Sequence, residues 1–171
     1  MFSERADLAA YIKSCSDRLV VFDGRCGAGK TSAMWTMRDA LGLRCIDGDK
    51  FRTPERERDY LRPFIDSFQF NELKAEIDPV LRRSNATVLL STVCARRVVV
   101  LADLPKATFI YVERTPRTQL DIYKRDFTDD ITAPDVDRSK EEDRLPWEVE
   151  EYHRDYSPRA RADAVYFSVR D

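Results

Sequence analysis

The densest chemistry in the sequence lies in eight consecutive residues, Gly24, Arg25, Cys26, Gly27, Ala28, Gly29, Lys30 and Thr31, with Ser32 directly behind them. Three glycines at this spacing, followed by a lysine and a threonine, suit a loop that curls its backbone amides inward around a chain of phosphates. In such a loop Lys30 reaches the outer phosphates and the Thr31 hydroxyl ligates Mg²⁺. The helix that follows turns its positive end toward the anion. The apolar run Leu19-Val20-Val21-Phe22 before the loop reads as a strand, and Ser32 through Met37 after it reads as a helix, the surroundings the loop requires. Residues 24–32 are therefore the nucleotide-binding candidates, with Lys30 also a catalytic one.

About twenty residues further on comes Cys45-Ile46-Asp47-Gly48-Asp49-Lys50-Phe51-Arg52, two carboxylates around a glycine at the end of an expected strand. Transfer of a phosphoryl group to a hydroxyl calls for a group that orients or deprotonates the acceptor, and Asp49 is the candidate. Asp47 reads as a ligand of a metal-bound water or as a strand-end residue, and Arg52 as an acceptor-binding residue. Charge that develops on phosphate oxygens is offset by arginines on a closing segment. Arg125 is the first choice for that task, with Arg117 and Arg114 behind it. Phe64, Phe68 and Phe70 read as core, Trp147 and His153 as structural, and Arg56, Arg58 and Arg62 as alternating with Glu55, Glu57 and Asp59 on a wet helix face.

The four cysteines, Cys15, Cys26, Cys45 and Cys94, lie far apart, with one histidine in the chain, which suits neither a zinc site nor a redox dithiol. All four read as reduced structural thiols; the alternative for Cys26 is a reactive thiol, since it stands among amides just ahead of a helix, a setting that can lower a thiol pKa.

These residues need a frame, and the sequence supplies one by alternating short β-rich runs with helical stretches, the order of a parallel sheet covered by helices. Strands are expected at residues 19–22, 44–46, 87–90, 108–112 and 164–169. Helices are expected at 7–14, 31–41, 94–101 and 116–125, with one or two helices across 56–83 broken near Pro63 and a second kink at Pro79. Residues 126–151 are acidic, contain Pro134 and Pro146 and carry few apolar anchors, so they read as an exposed connector or a segment that closes over nucleotide. A chain of 171 residues with 43% hydrophobic side chains fits one domain over its whole length, with lid and connector inside 114–151.

Charged residues make up 35% of the chain and nearly cancel to −2, which argues against nucleic acid and anionic membranes as partners. There is no apolar stretch of membrane-spanning length, and the N-terminus lacks the order of a signal peptide, so the expected location is cytoplasmic.

The loop Gly24 to Thr31 followed by Asp47 to Arg52 resembles the small-molecule kinases of the P-loop class. The turn IDGDKFR is similar to the DGD turn of adenylylsulfate kinase and gluconate kinase. Asp49, Phe51 and the stretch VVFDGRCGAGKT resemble uridine kinase, as does the tail from Tyr152 and His153 through Pro158 to Ala162, Asp163 and Val165. In uridine kinases the third strand usually ends near an acidic residue that helps hold the metal. Here Leu89-Leu90-Ser91-Thr92 carries none, which is closer to the other two families, whose fourth strand and RD-containing lid resemble Phe109 to Glu113 and Tyr123 to Asp126. The resemblance implies a doubly wound five-stranded P-loop NTPase with helices on both faces and a lid segment. It also implies ATP and Mg²⁺ as cofactors and a small hydroxyl compound as acceptor: a nucleoside, sugar acid, adenylylsulfate-like compound or antibiotic. A nucleotide-binding switch or assembly ATPase is the alternative from another class.

Overall fold

Five apolar runs pair into one parallel sheet in the computed structural model, which describes residues 1–52, 64–83, 86–114 and 144–168. The strands are β1 (Leu19–Asp23), β2 (Arg44–Asp47), β3 (Val88–Ser91), β4 (Ala107–Arg114) and β5 (Ala164–Ser168). Their spatial order is β2-β3-β1-β4-β5. In register, Val21 stands between Leu90 of β3 and Phe109 of β4. Five described helices accompany the sheet: α1 (Arg5–Ser14), α2 (Lys30–Leu41), α3 (Phe70–Arg82), α4 (Ala95–Leu101) and α5 (Arg144–Tyr156). A single 3-10 turn, Gly48–Phe51, follows β2.

Alternation along the strands sorts the core into two layers. Leu19, Val21, Val88, Leu90 and Phe109 pack with Leu73, Ile77 and Leu81 of α3, Val98 of α4, and Val149 and Tyr152 of α5. Val20, Phe22, Leu89, Ile110 and Val112 pack with Leu8 and Ile12 of α1 and Ala33, Met34 and Met37 of α2. Helices therefore cover both faces, which is why all five residues of central β1 are buried and why this strand shows no polar alternation. On α3 the buried residues fall at intervals of four, one stripe down the helix.

The order of connections decides where a ligand can sit. From β1 the chain passes through α2 out to β2, while from β3 it passes through α4 across β1 to β4. The two excursions diverge at the carboxyl end of β1, leaving a crevice there of the kind in which open α/β sheets bind ligands.

The expected strands all form, within a residue or two of their read boundaries. Two expectations are corrected. Residues 64–69 are not helical: Phe64 and Phe68 turn into the core, and the backbone there finds other partners, with Gln69 N–H donating to Phe51 O at 2.7 Å. The helix begins at Phe70 and runs through Pro79, whose ring nitrogen has no proton for the helical ladder. The acidic stretch is not a connector up to residue 151, because α5 starts at Arg144 and buries Glu148 and Val149. The rest of that stretch, the helix expected at 116–125 and the segment 53–63 lie outside the described residues. Among those residues no helix is long and apolar enough to cross a membrane.

Candidate functional site

The loop after β1 is shaped by how closely it passes over the sheet. At Gly24 φ is +141°, and a Cβ there would sit 2.4 Å from the backbone oxygen of Val112, so only glycine lets the chain turn off β1 at this point. The loop ends at Gly29, the N-cap of α2, whose ladder opens with Ala33 N–H donating to Gly29 O at 2.9 Å. The amides of the first turn have no carbonyl within the helix to serve and point out of its end, where they favour an anion. Ser168, at the end of β5, donates to Ala28 O at 2.6 Å and braces the loop from the far side.

Lys30 is 6% exposed, and its Nζ donates to Gly24 O and Arg25 O, each at 2.9 Å. Two of its three N–H donors thus go to the loop itself. Burial lowers the ammonium from its usual value, with Cys26, Asp49 and Asp23 acting in the other direction. Thr31 Oγ1 lies 3.2 Å from Ser91 Oγ at the end of β3, so a hydroxyl of that strand holds the Thr31 side chain.

The acidic turn comes up against the same cavity from β2. The Asp47 carboxylate accepts from Asp49 N–H at 3.3 Å, which starts the 3-10 turn. Gly48 packs so closely on β3 that a Cβ would meet Thr92 Cβ at 2.7 Å. Thr92 in turn donates to Asp49 Oδ1 at 3.2 Å and fixes that carboxylate. Desolvation raises the Asp49 carboxyl above the ordinary range and Asp47 adds to this, while Lys30, Val93 N–H and Thr92 pull it down. Arg52 donates from Nε to Ser67 Oγ at 3.3 Å, and its guanidinium stands 5.5 Å from the centre of the Phe64 ring.

One cavity of about 780 Å³ joins these parts. Cys26 to Ala33 line it together with Asp49, Arg52, Phe64 and Val93. Arg114 and Arg5 also reach it. Of the sequence-derived candidates, the cavity brings together Cys26, Gly27, Ala28, Gly29, Lys30, Thr31, Ser32, Asp49, Arg52 and Arg114. Gly24 and Arg25 act behind it, through the carbonyls that take Lys30. Asp47 lies on a separate groove with Trp35, Arg38 and Glu72. Arg117 and Arg125 lie outside the described residues. Cys26 is exposed, and its thiol is raised rather than lowered, with desolvation the largest cause and Lys30 opposing it.

Sequence reasoning passed over the groups that hold the loop. Asp23, the last residue of β1 and 1% exposed, accepts Gly24 N–H on Oδ1 at 2.8 Å and the Tyr152 hydroxyl on Oδ2 at 2.5 Å. Its signal was a carboxylate closing an otherwise apolar strand one residue ahead of the first glycine. Arg25 forms an ion pair with Glu150. His153, read as structural from the sequence, packs beside this group: it donates from Nδ1 to Val149 O at 2.7 Å, which leaves Nε2 to accept from the Tyr111 hydroxyl at 3.1 Å. Burial lowers its pKa to about 4, with Arg25 and Lys30 contributing.

The chain is similar in structure to a possible uridine kinase from Bacillus stearothermophilus, with a TM-score of 0.59 over 95% of this chain and 96% of the other, at 11% identity. The chain has the fold of a P-loop NTPase. A sugar kinase from Janibacter sp. HTCC2649 aligns more loosely, with a TM-score of 0.43 and 16% identity over 90% of this chain and 84% of that one. No protein-family model and no curated protein matches the sequence.

Proposed function

We propose that the chain is an ATP-dependent, Mg²⁺-requiring phosphotransferase that moves the γ-phosphoryl group to a hydroxyl of a small molecule. The observation that carries this reading is the shared cavity, in which a lysine-bearing phosphate cradle and a carboxylate fixed by Thr92 face one volume. About 780 Å³ is in the range of small-molecule sites.

In this reading the loop amides and α2 hold the phosphate chain, and Lys30 turns its third N–H to an outer phosphate oxygen. The residues present fit Mg²⁺: Thr31 offers a hydroxyl on the cavity wall, and Mg²⁺ commonly takes few protein ligands and keeps phosphate oxygens and waters for the rest. When bound, the ion neutralises charge on the phosphates. Asp49 accepts the proton of the acceptor hydroxyl, a task helped by a carboxyl whose pKa burial has raised toward the working pH. Arg52 and Phe64 form the wall on which the acceptor rests.

The test is a screen for ADP release with ATP, Mg²⁺ and panels of nucleosides, sugar acids, adenylylsulfate and hydroxylated antibiotics, using Lys30→Ala as the blank. An acceptor that raises release above the blank is the expected result. Steady release that no acceptor alters points instead to a nucleotide-hydrolysing switch.

A further inference from the structure

Helix α5 reaches two parts of the site through side chains one turn apart: the segment that carries the cavity-lining Phe64, and Asp23, from which the phosphate loop departs. Glu148, 4% exposed, accepts the backbone N–H of Phe64 at 2.5 Å and of Ile65 at 3.1 Å. One carboxylate thereby fixes the strip of chain that bears the Phe64 ring, and with it the aromatic face beside Arg52. Four residues on, Tyr152 is fully buried and donates to Asp23, whose other oxygen takes Gly24 N–H. Between them Glu150 holds Arg25, the second residue of the loop. Tyr152 is itself oriented by Arg96 N–H, which donates to its hydroxyl at 3.1 Å.

A helix that served only to fill the core would need Val149 and the Tyr152 ring, both of which pack there. It would have no use for an acidic side chain buried against two amides, nor for a buried hydroxyl aimed at a buried carboxylate. Such groups are costly to desolvate and are kept where they fix geometry.

We infer that α5 is a rigid spacer between the two halves of the site, with Glu148 positioning the acceptor wall and Tyr152, through Asp23, positioning the phosphate loop. The inference rests on the phosphotransferase reading for the meaning of the two walls, although the contacts themselves do not depend on it. It assigns separate effects to two residues on successive turns of one helix. Glu148→Gln leaves one of two amides facing an NH₂ group in place of an oxygen, and loosens the Phe64 strip alone. Tyr152→Phe keeps the ring in the core, removes the donor to Asp23 together with the acceptor of Arg96 N–H, and loosens the start of the loop without touching the Phe64 strip.

The experiment combines calorimetric titration with a non-hydrolysable ATP analogue and Mg²⁺, hydrogen exchange at the Phe64 and Ile65 amides, and the acceptor KM for whichever compound the screen selects. Loss of one hydrogen bond predicts changes of about tenfold. Glu148→Gln should speed exchange at Phe64 and Ile65 and raise the acceptor KM, with analogue affinity unchanged. Tyr152→Phe should weaken analogue affinity with exchange at Phe64 and Ile65 unchanged. If both variants move exchange and affinity together in step with their loss of thermal stability, the helix is core packing only and the inference fails. If the wild-type protein binds no analogue, the phosphotransferase reading fails instead, and the exchange result for Glu148→Gln still decides the acceptor-wall half on its own.

Discussion

Gly24→Ala tests whether the phosphate loop takes its shape from the sheet beneath it. The new Cβ would lie 2.4 Å from the Val112 oxygen, roughly 0.9 Å inside an ordinary carbon–oxygen approach of about 3.3 Å. Val112 belongs to β4, which pairs with β1 on one side and β5 on the other, so its carbonyl cannot retreat. A non-glycine residue at this φ costs about 1–3 kcal/mol in backbone strain, and forcing an extra methyl into a filled space costs about 1–3 more. If the loop stays in place, the variant loses about 2–6 kcal/mol of the 5–15 typical of a domain. If the loop lifts to relieve the clash, a displacement of about 1 Å costs on the order of a hundredfold in the function the loop serves. Urea denaturation reads the first outcome and titration with a nucleotide analogue reads the second. A variant with the wild-type urea midpoint and wild-type nucleotide affinity would refute the reasoning.

Asp49→Asn should bind nucleotide as the wild type does and lose about 10²–10⁴ in turnover with the acceptor found by screening; an unimpaired variant removes Asp49 from the chemistry. The wild-type rate should also rise with pH through an inflection above the usual carboxylate range, because Asp49 works deprotonated and its carboxyl is raised. His153 is protonated less readily folded, at about 4, than at its ordinary 6.5, so acid favours the unfolded chain. Stability should therefore fall as pH drops from 6.5 toward 4, by up to about 3 kcal/mol from this residue. His153→Asn should flatten that slope in urea titrations at successive pH values, and an unchanged slope would show that the buried imidazole is not its source.

The parts of this fold that the sequence displayed are those in which neighbours along the chain do the physical work. A strand such as Val88–Ser91 or Ala164–Ser168 announces itself by its own apolar side chains, and the phosphate loop by glycines whose spacing sets a local curl. The pairing of the loop with the DGD turn was also legible, since both follow strands and must emerge at one edge of a parallel sheet.

What stayed hidden depends on residues far apart in sequence. Tyr152 and Asp23 are separated by 129 positions, and Glu148 and Phe64 by 84, so no periodicity could link them. The segment around Phe64 read as helix because its composition permits one, whereas Glu148 captures its amides and the core claims its rings. Helix α5 was obscured by its charge, since a run rich in Glu and Arg looks solvated until its carboxylates find buried donors.

The central claim is that the backbone between Gly24 and Thr31 grips a polyphosphate. Isothermal titration of the full chain with a non-hydrolysable ATP analogue and Mg²⁺, beside Lys30→Ala, tests it most directly. Saturable heat at one site in the wild type, lost or at least tenfold weaker in the variant, is the predicted result, as expected for a charge-assisted contact of about 1.5–3 kcal/mol. No heat in the wild type, or equal binding by Lys30→Ala, would contradict the account.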